Sequence, residues 1–259
     1  MAKLEPPASG VTIRMYRQGH GDCFLLATKT TANKPFYMLI DCGLWTGSEI
    51  RPDATIDKIV ADIAEATGNR LDVVLVTHEH MDHVNGFAAK KENGELCFAE
   101  LQIGAVWLSW TEDGGDAFAN KLRERFNDTL LALAGADEKL SDAGLPVDST
   151  KRAMLRNLLS FETGEIAGEE LRKELKIIKT REPNLSAREH GEFAIKGITN
   201  KKALQYLRGR ADGNILFLTP GNLYELYGPR GIRVYALGRR ATKISCFRLT
   251  RRGAKGSIG

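Results

Sequence analysis

Residues 77–83 of the chain are Thr77-His78-Glu79-His80-Met81-Asp82-His83, and this metal motif decides the fold. It holds three of the five histidines of the chain, together with an aspartate. His78 and His80 are two positions apart at the end of an extended segment, so their imidazoles can share one face and bind one Zn²⁺. Asp82 and His83 follow in the loop beyond, which suits a second ion. The spacing therefore predicts a metal site with these four residues as ligands.

The residues before the motif predict a β-sheet covered by one helix. Three short strands are predicted from alternating or short apolar runs, at residues 11–17, 23–27 and 36–40. Apolar residues at helical spacing predict a helix within residues 53–67, and Gly68 is placed where a left-handed residue ends a helix. Residues 71–76 are a β-branched run typical of a central buried strand. The metal motif follows this strand directly.

The pattern changes after Trp110, where a helical stretch interrupts the strands. One more strand is predicted at residues 103–107 before the change, and strand patterns return at residues 215–218 and 232–237. Four helices are predicted between them, at residues 115–135, 148–162, 168–178 and 199–208. This order predicts an α/β fold with a helical insertion. We expect four parts: a β-rich first part, the insertion, a returning β segment and a tail, at residues 1–110, 111–213, 214–238 and 239–259.

The composition indicates a globular protein without a membrane partner. Hydrophobic residues make up 42% and charged residues 27% of the chain, as in ordinary globular domains. No apolar run reaches the length of a membrane span, and the N-terminal residues lack the apolar stretch of a secretory signal. We therefore expect a cytoplasmic protein with reduced cysteines. Four cysteines are expected to be small buried hydrophobes rather than metal ligands, namely Cys23, Cys42, Cys97 and Cys246.

The net charge of +4 is distributed unevenly along the chain. Residues 239–259 hold seven of the 37 basic residues and no acidic residue, so the remainder has 30 basic and 33 acidic residues. This basic tail therefore carries +7 on a body of −3. We expect it to be disordered, and it suits nucleic-acid binding through phosphate contacts. A solvated extension with no partner is the alternative.

The pattern Thr-His-x-His-x-Asp-His resembles the metal-binding signature of the metallo-β-lactamase superfamily, an αββα sandwich. Residues 18–26 and 38–43 are similar to the first hairpin strands of that superfamily. They resemble most closely the branch that includes the hydrolase domain of DNA-uptake competence proteins. The resemblance assigns residues 1–110 to the N-terminal half of the sandwich. It also implies that Asp41 lies near the metals and orients the ligand loop, a role outside the ligand set itself.

The resemblance implies a zinc hydrolase with a two-metal site and a metal-activated hydroxide that attacks the substrate. Asp82 is then also catalytic, because it can accept a hydrogen bond from the attacking water. Phosphodiester, ester, thioester and lactam substrates are all compatible with the motif. The pairing of Asp82 with His83 favours a two-metal site and hence, slightly, a phosphodiester.

The remaining histidine and acidic residues near the motif, together with Met81 and His190, are not predicted to be metal ligands. His20 and Asp22 lie in a Gly-rich turn, and a turn role is favoured over a catalytic one. Glu79 and Met81 project from the other side of the motif and are interpreted as packing residues. His190 lies in a polar stretch of the insertion and is expected to be an exposed histidine.

The ligand set that the family uses is incomplete in this sequence. The family adds a third histidine on the first metal, an aspartate that bridges both metals, and a last histidine on the second. No histidine follows His190, and the one Gly-Asp pair after the motif, Gly115-Asp116, falls in the insertion. Four of about seven ligands are thus supplied, which predicts weak metal binding. The alternative to an active hydrolase is therefore a truncated, catalytically inactive remnant.

The C-terminal sequence offers a cause for the missing ligands. Residues 231–238 look like a family segment that usually continues with Pro-Pro-Arg-Asp-Glu, whereas Arg239-Arg240-Ala241-Thr242-Lys243 follows here. The codons GGC CGC CGC GCG ACG AAG would encode residues 238–243, and the same string read after its first two nucleotides gives Pro-Pro-Arg-Asp-Glu. We hypothesise a one-nucleotide deletion near Gly238 that moved the reading frame. Sequencing of the locus tests this, and an alternate frame without an open continuation would contradict it.

Overall fold

The computed structural model describes residues 3–45, 54–164, 169–196, 198–226, 228–229 and 231–237. The strands are β1 Thr12–Met15, β2 Phe24–Lys29, β3 Pro35–Ile40, β4 Arg70–Leu75, β5 Gln102–Ser109, β6 Ile215–Leu218, β7 Leu223–Glu225 and β8 Arg233–Tyr235. The helices are α1 Ile56–Thr67, α2 Met81–Val84, α3 Ala117–Asp142, α4 Thr150–Thr163, α5 Glu169–Arg181, α6 Ala187–Lys196 and α7 Thr199–Arg210. Short 3₁₀ turns occupy Asn85–Ala88 and Trp110–Glu112. The predicted basic tail and Cys246 lie outside the described residues.

The main sheet has six strands in the order β1-β2-β3-β4-β5-β6, so the predicted central position of β4 is confirmed. β1, β2 and β3 pair antiparallel, whereas β3 to β6 are parallel to one another. Parallel neighbours need crossover connections, and helices supply them here. α1 connects β3 to β4, and helices α3 to α7 lie between β5 and β6 in the chain. The α/β class predicted from the sequence is therefore observed.

Both faces of the sheet are covered, because its strands alternate two sets of apolar side chains. On one face, Leu39 of β3 and its neighbour Val74 of β4 are fully buried in a core that includes residues of α1 and α7. On the other face, Val73 and Leu75 pack with Trp107 in a cluster that the β7–β8 hairpin also contacts. A central strand buried on both sides accounts for the continuous β-branched run in the sequence.

The helices α3 to α6 build a separate small core, while α7 packs on the sheet. Leu130, Leu159, Leu171 and Ile195 are buried together in the helical core. Leu207 of α7 is instead buried in the sheet core. None of the helices within the described ranges combines the length and apolar character needed to cross a bilayer.

A buried aspartate ties three of these helices together. The side chain of Asp137 in α3 is 1% exposed, and its Oδ1 accepts a hydrogen bond of 2.9 Å from Arg152 Nε in α4. Its Oδ2 accepts one of 2.6 Å from Arg172 Nη1 in α5, and Arg156 Nη1 lies 3.6 Å from the same oxygen. Burial alone would raise the pKa of this carboxyl, but the hydrogen bond and the charges of the arginines outweigh it and lower the pKa.

Exchange of Asp137 for asparagine is expected to reduce the free energy of unfolding by about 2 kcal/mol at neutral pH, because charge-assisted hydrogen bonds are lost. The folded pKa lies below the unfolded value of about 3.9. The stabilisation is therefore present above that value and is lost as the pH falls through the folded pKa. Urea unfolding at pH 7 and at acid pH measures this, with the exposed neighbour Glu138→Gln as control. A deficit that persists undiminished in acid would contradict an ionic origin.

Candidate metal centre

The metal motif lies at the carboxyl edge of the parallel part of the sheet. β3 and β4 are parallel neighbours, so Asp41, after β3, and Thr77, after β4, meet at the same edge. The Asp41 N–H donates to Leu75 O at 2.9 Å, which continues the pairing past β3. His78 and His80 are in the extended approach, and α2 begins directly after His80. The sequence predicted a loop for Asp82 and His83. They lie instead in this short helix.

A second loop packs backbone against backbone on the ligand segment. The Cys42 N–H donates to His83 O at 2.8 Å, and the Gly86 N–H donates to Cys42 O at 2.9 Å. Glycines permit this approach. A Cβ on Gly86 would lie 2.5 Å from Cys42 O, and one on Gly43 would clash with backbone atoms of Asp82 and His83. The loop after β3 thus fixes the position of the residues that follow β4.

Asp41 joins the two loops through three hydrogen bonds. Its backbone is left-handed at φ 53°, a conformation that aspartate tolerates better than most residues, and it is 1% exposed. Thr77 N–H donates to Oδ1 at 2.8 Å, and the Thr77 hydroxyl donates to Oδ2 at 2.7 Å. His83 Nδ1 lies 2.9 Å from Oδ2. The carboxylate therefore sets both the backbone of the motif and the orientation of the His83 ring.

Each imidazole of the motif has an oxygen partner on one of its two nitrogens. His83 has Asp41 at Nδ1, and His78 Nδ1 lies 3.0 Å from the Thr77 hydroxyl. His80 Nε2 lies 3.3 Å from Glu162 Oε2 in α4. The rings are close neighbours, with centroids 3.8 Å apart for His78 and His83 and 4.6 Å apart for His78 and His80. These partners leave His78 Nε2, His80 Nδ1 and His83 Nε2 for a metal.

The Asp82 carboxylate is buried beside these rings. It is 6% exposed, and its Oδ1 is buried with no hydrogen-bond partner among the described residues. Its Oδ2 lies 3.6 Å from His83 Nε2 and 3.7 Å from His20 Nε2. A buried carboxylate oxygen without a partner is costly unless something else satisfies it. Imidazole nitrogens and a carboxylate oxygen are the donors that Zn²⁺ takes in proteins, so the residues fit the ion.

The turn at His20 and Asp22 contributes more than sequence reasoning expected. The turn itself forms, with left-handed Gly19 at φ 119°. In addition, Asp22 Oδ2 lies 3.6 Å from His83 Nδ1. Ligand atoms of Asp22, Asp41 and His83 all lie within 4.8 Å of one another and could hold an ion. The sequence predicted only a turn role for Asp22. Its position near His83 could not be predicted, because nothing in the local sequence links residue 22 to residue 83.

The comparison with known families decides the identity of the fold. Residues 17–159, more than half of the chain, match the metallo-β-lactamase superfamily. The chain belongs to this superfamily. No curated protein and no solved structure matches it. Membership of this superfamily suggests a metal-dependent hydrolase, and the nearest branch stays a prediction.

Two further residues of the helical part of the chain, His190 and Asp116, have structural roles. His190 was expected to be exposed, and this is wrong: it is 6% exposed, and its Nε2 lies 2.7 Å from Glu182 O, because α6 packs into the helical core. Asp116 caps α3, with Oδ1 accepting from Phe118 N–H and Ala119 N–H.

Glu79 and Met81, which lie between the candidate ligands in the sequence, have other contacts. Met81 is 1% exposed, which confirms its packing role. Glu79 forms an ion pair with Lys201 of α7 instead of packing only. The ion pair ties the motif to the helix that covers the sheet.

Three cysteines were correctly expected to be buried. Cys23, Cys42 and Cys97 are free and between 0% and 7% exposed. Burial raises the pKa of the Cys23 thiol well above its usual value.

The three histidines of the metal motif differ in the direction in which their surroundings shift the pKa. Burial lowers the pKa of His78, and the neighbouring histidines lower it further. Contact with Glu162 raises the pKa of His80. Burial acts to lower the pKa of His83, but Asp41, Asp82 and Asp22 outweigh it and raise the pKa. Carboxylates thus surround the site and offset the positive charge that a metal ion would bring.

A cavity of about 460 Å³ adjoins the motif at Thr77. It lies at the carboxyl ends of the parallel strands, and its walls are mostly apolar, with Leu75, Trp110, Leu218 and Tyr235 among them. A second cavity of about 490 Å³ lies between α3 and α7 and is lined by charged side chains such as Arg123 and Glu124. Of these two cavities, the first is the one that adjoins the metal motif.

Proposed function

We propose that the chain is a metal-dependent hydrolase whose metal ligands are His78, His80, Asp82 and His83. Asp41 lies outside this set and orients it through its hydrogen bonds to Thr77 and His83. The observation that carries the proposal is the pattern of ring partners: each imidazole has an oxygen at one nitrogen and presents the other. Metal-binding histidines in proteins almost always show this arrangement. A chance cluster of surface histidines would not be expected to show this arrangement at all three rings.

The hydrogen-bond directions support one tautomer at two of these rings. The Thr77 hydroxyl donates to Asp41, so its oxygen accepts from His78 Nδ1–H, and the lone pair of His78 is then at Nε2. Asp41 is an acceptor only, so His83 donates to it from Nδ1–H and also has its lone pair at Nε2. Both rings are therefore prepared to bind a cation before it arrives.

A bound Zn²⁺ would act as a Lewis acid and lower the pKa of a water molecule towards neutrality. Asp82, whose Oδ1 has no hydrogen-bond partner among the described residues, could accept a hydrogen bond from such a water and orient it. The half-buried surroundings strengthen both interactions, because they limit competition from bulk solvent.

The apolar cavity at Thr77 supports a substrate with an apolar part beside its reactive group. We propose a phosphodiester as the first candidate substrate class, because Asp82 and His83 offer a place for a second ion and two ions suit phosphodiester cleavage. Esters, thioesters and lactams are the alternatives for the same site.

Metal analysis combined with a hydrolysis panel tests this proposal. The purified chain is expected to contain or take up zinc and to hydrolyse a generic phosphodiester such as bis(4-nitrophenyl) phosphate. Removal of the metal with a chelator should abolish the activity, and added Zn²⁺ should restore it. Cleavage of an ester, thioester or lactam instead would change only the substrate class. A folded chain that cannot be loaded with metal would overturn the proposal and favour the inactive remnant.

A further inference from the structure

Helix α4 reaches the metal motif from the helical part of the chain. The ring of Phe161 lies 4.8 Å, between centroids, from the ring of His80. The next residue, Glu162, places Oε2 3.3 Å from His80 Nε2, with its side chain 15% exposed. That oxygen is buried and accepts no well-aligned hydrogen bond from the described residues. A carboxylate oxygen shielded from solvent thus faces the ring of His80.

We propose that Glu162 is a positioning residue that accepts the Nε2 proton of His80 and so directs Nδ1 to the metal. The inference rests on the proposed function, because it takes His80 as a ligand. It adds a third partner to those of His78 and His83, and this partner comes from a distant helix. The helical part of the chain would then contribute a residue to the metal centre.

The backbone of Glu162 is held in place from the opposite side. Its carbonyl accepts a hydrogen bond of 3.0 Å from Asn200 Nδ2 in α7, and Asn200 is 1% exposed. Helix α4 ends immediately afterwards at left-handed Gly164, φ 77°, which packs against the Asn200 side chain. The residue next to Asn200, Lys201, pairs with Glu79 of the motif. Helix α7 therefore fixes both the motif and the carboxylate that faces it.

The length of the contact fits a partner that tightens when a metal binds. At 3.3 Å the two atoms are slightly beyond ordinary hydrogen-bond distance. A small rotation of the Glu162 side chain would align it with His80 Nε2–H. Loss of such a partner typically lowers metal affinity by about 10- to 100-fold. We expect the lower end of this range, because a single contact is involved.

Zn²⁺ affinity is the readout that tests the inference, measured by competition with a chromophoric chelator. Glu162→Ala is expected to bind Zn²⁺ about tenfold more weakly than the unaltered chain. Glu162→Gln should recover most of the loss, because its amide oxygen can still accept the proton from His80. The exposed Glu138→Ala serves as control and should bind as the unaltered chain does. Urea unfolding of the metal-free variants detects any loss of folding, which would not be rescued selectively by glutamine.

The visible spectrum of the Co²⁺-loaded protein separates positioning from direct ligation. A positioning residue leaves the number of ligands unchanged, so the band intensities of Glu162→Gln should match those of the unaltered chain. Altered intensities together with no rescue by glutamine would make Glu162 a ligand and overturn the inference. Equal Zn²⁺ affinity in Glu162→Ala would overturn it as well, with the proposed function intact. If the unaltered chain binds no Zn²⁺, the proposed function itself fails.

Discussion

Replacement of Asp41 by asparagine is expected to weaken Zn²⁺ binding by on the order of a hundredfold, at the upper end of the effect of a ligand's partner. Asp41 receives three hydrogen bonds, two from Thr77 and one from His83. Asparagine tolerates the left-handed backbone at this position about as well as aspartate does. The substitution therefore changes the acceptor and the charge while it spares the turn.

The expected loss follows from the proton count at the site. An asparagine side chain has one oxygen acceptor, and its NH₂ group can only donate. If the oxygen accepts from Thr77 N–H, the NH₂ group faces His83 Nδ1. His83 must then accept at Nδ1 and carry its proton at Nε2, the nitrogen that lies 3.6 Å from Asp82 Oδ2. The wrong tautomer removes His83 from the ligand set.

A matched control exists elsewhere in the chain. Asp212 is also a left-handed aspartate, at φ 44°, and is exposed after α7. Asp212→Asn thus makes the same chemical change in the same backbone conformation outside the site. Chelator competition should give unaltered Zn²⁺ affinity for this control. An affinity of Asp41→Asn equal to that of the control would show that Asp41 does not orient the ligands.

The four candidate ligands could be proposed from the sequence because they lie in one short segment, and their partners could not because they are distant in the chain. The spacing within residues 77–83 places the ligands together whatever the remainder of the chain does. Asp41 was assigned only through the family resemblance, since 36 residues separate it from Thr77. Glu162 gave no signal at all, because a glutamate in an amphipathic helix is ordinarily a solvated residue. Its contact with His80 exists only once α4 is packed.

The fold was predicted where patterns are long, and missed where they are short. β4 and the strands beside it lie within a residue or two of their predicted limits. β7 has only three residues, too few for an alternation to be recognised. The predicted end of α3 was residue 135, whereas the helix continues to Asp142. Gly135 does not adopt the left-handed conformation of a helix end, so the helix passes through it.

Addition of one methyl group at Gly43 is expected to lower the free energy of unfolding by about 3 kcal/mol, as overpacking at a rigid contact does. The added Cβ would clash with the carbonyl group of Asp82 and the amide nitrogen of His83. These are backbone atoms of the ligand segment, so no side-chain rotation relieves the clash. Two hydrogen bonds hold the segments of this contact together. The Asp22 N–H donates to Asp82 O at 3.0 Å, and the Gly43 N–H donates to Asp22 O at 3.1 Å.

Relief of the clash in Gly43→Ala requires the loop after β3 to move away from α2, which separates Asp41 from His83. Zn²⁺ affinity should therefore fall together with stability, and both are measurable by urea unfolding and chelator competition. Gly135→Ala is the control: its Cβ meets no atom within 4 Å, and alanine in a helix stabilises by roughly 0.5–1 kcal/mol. If Gly43→Ala unfolds at the same urea concentration as the unaltered chain, the close approach of the two loops is not what positions the metal ligands.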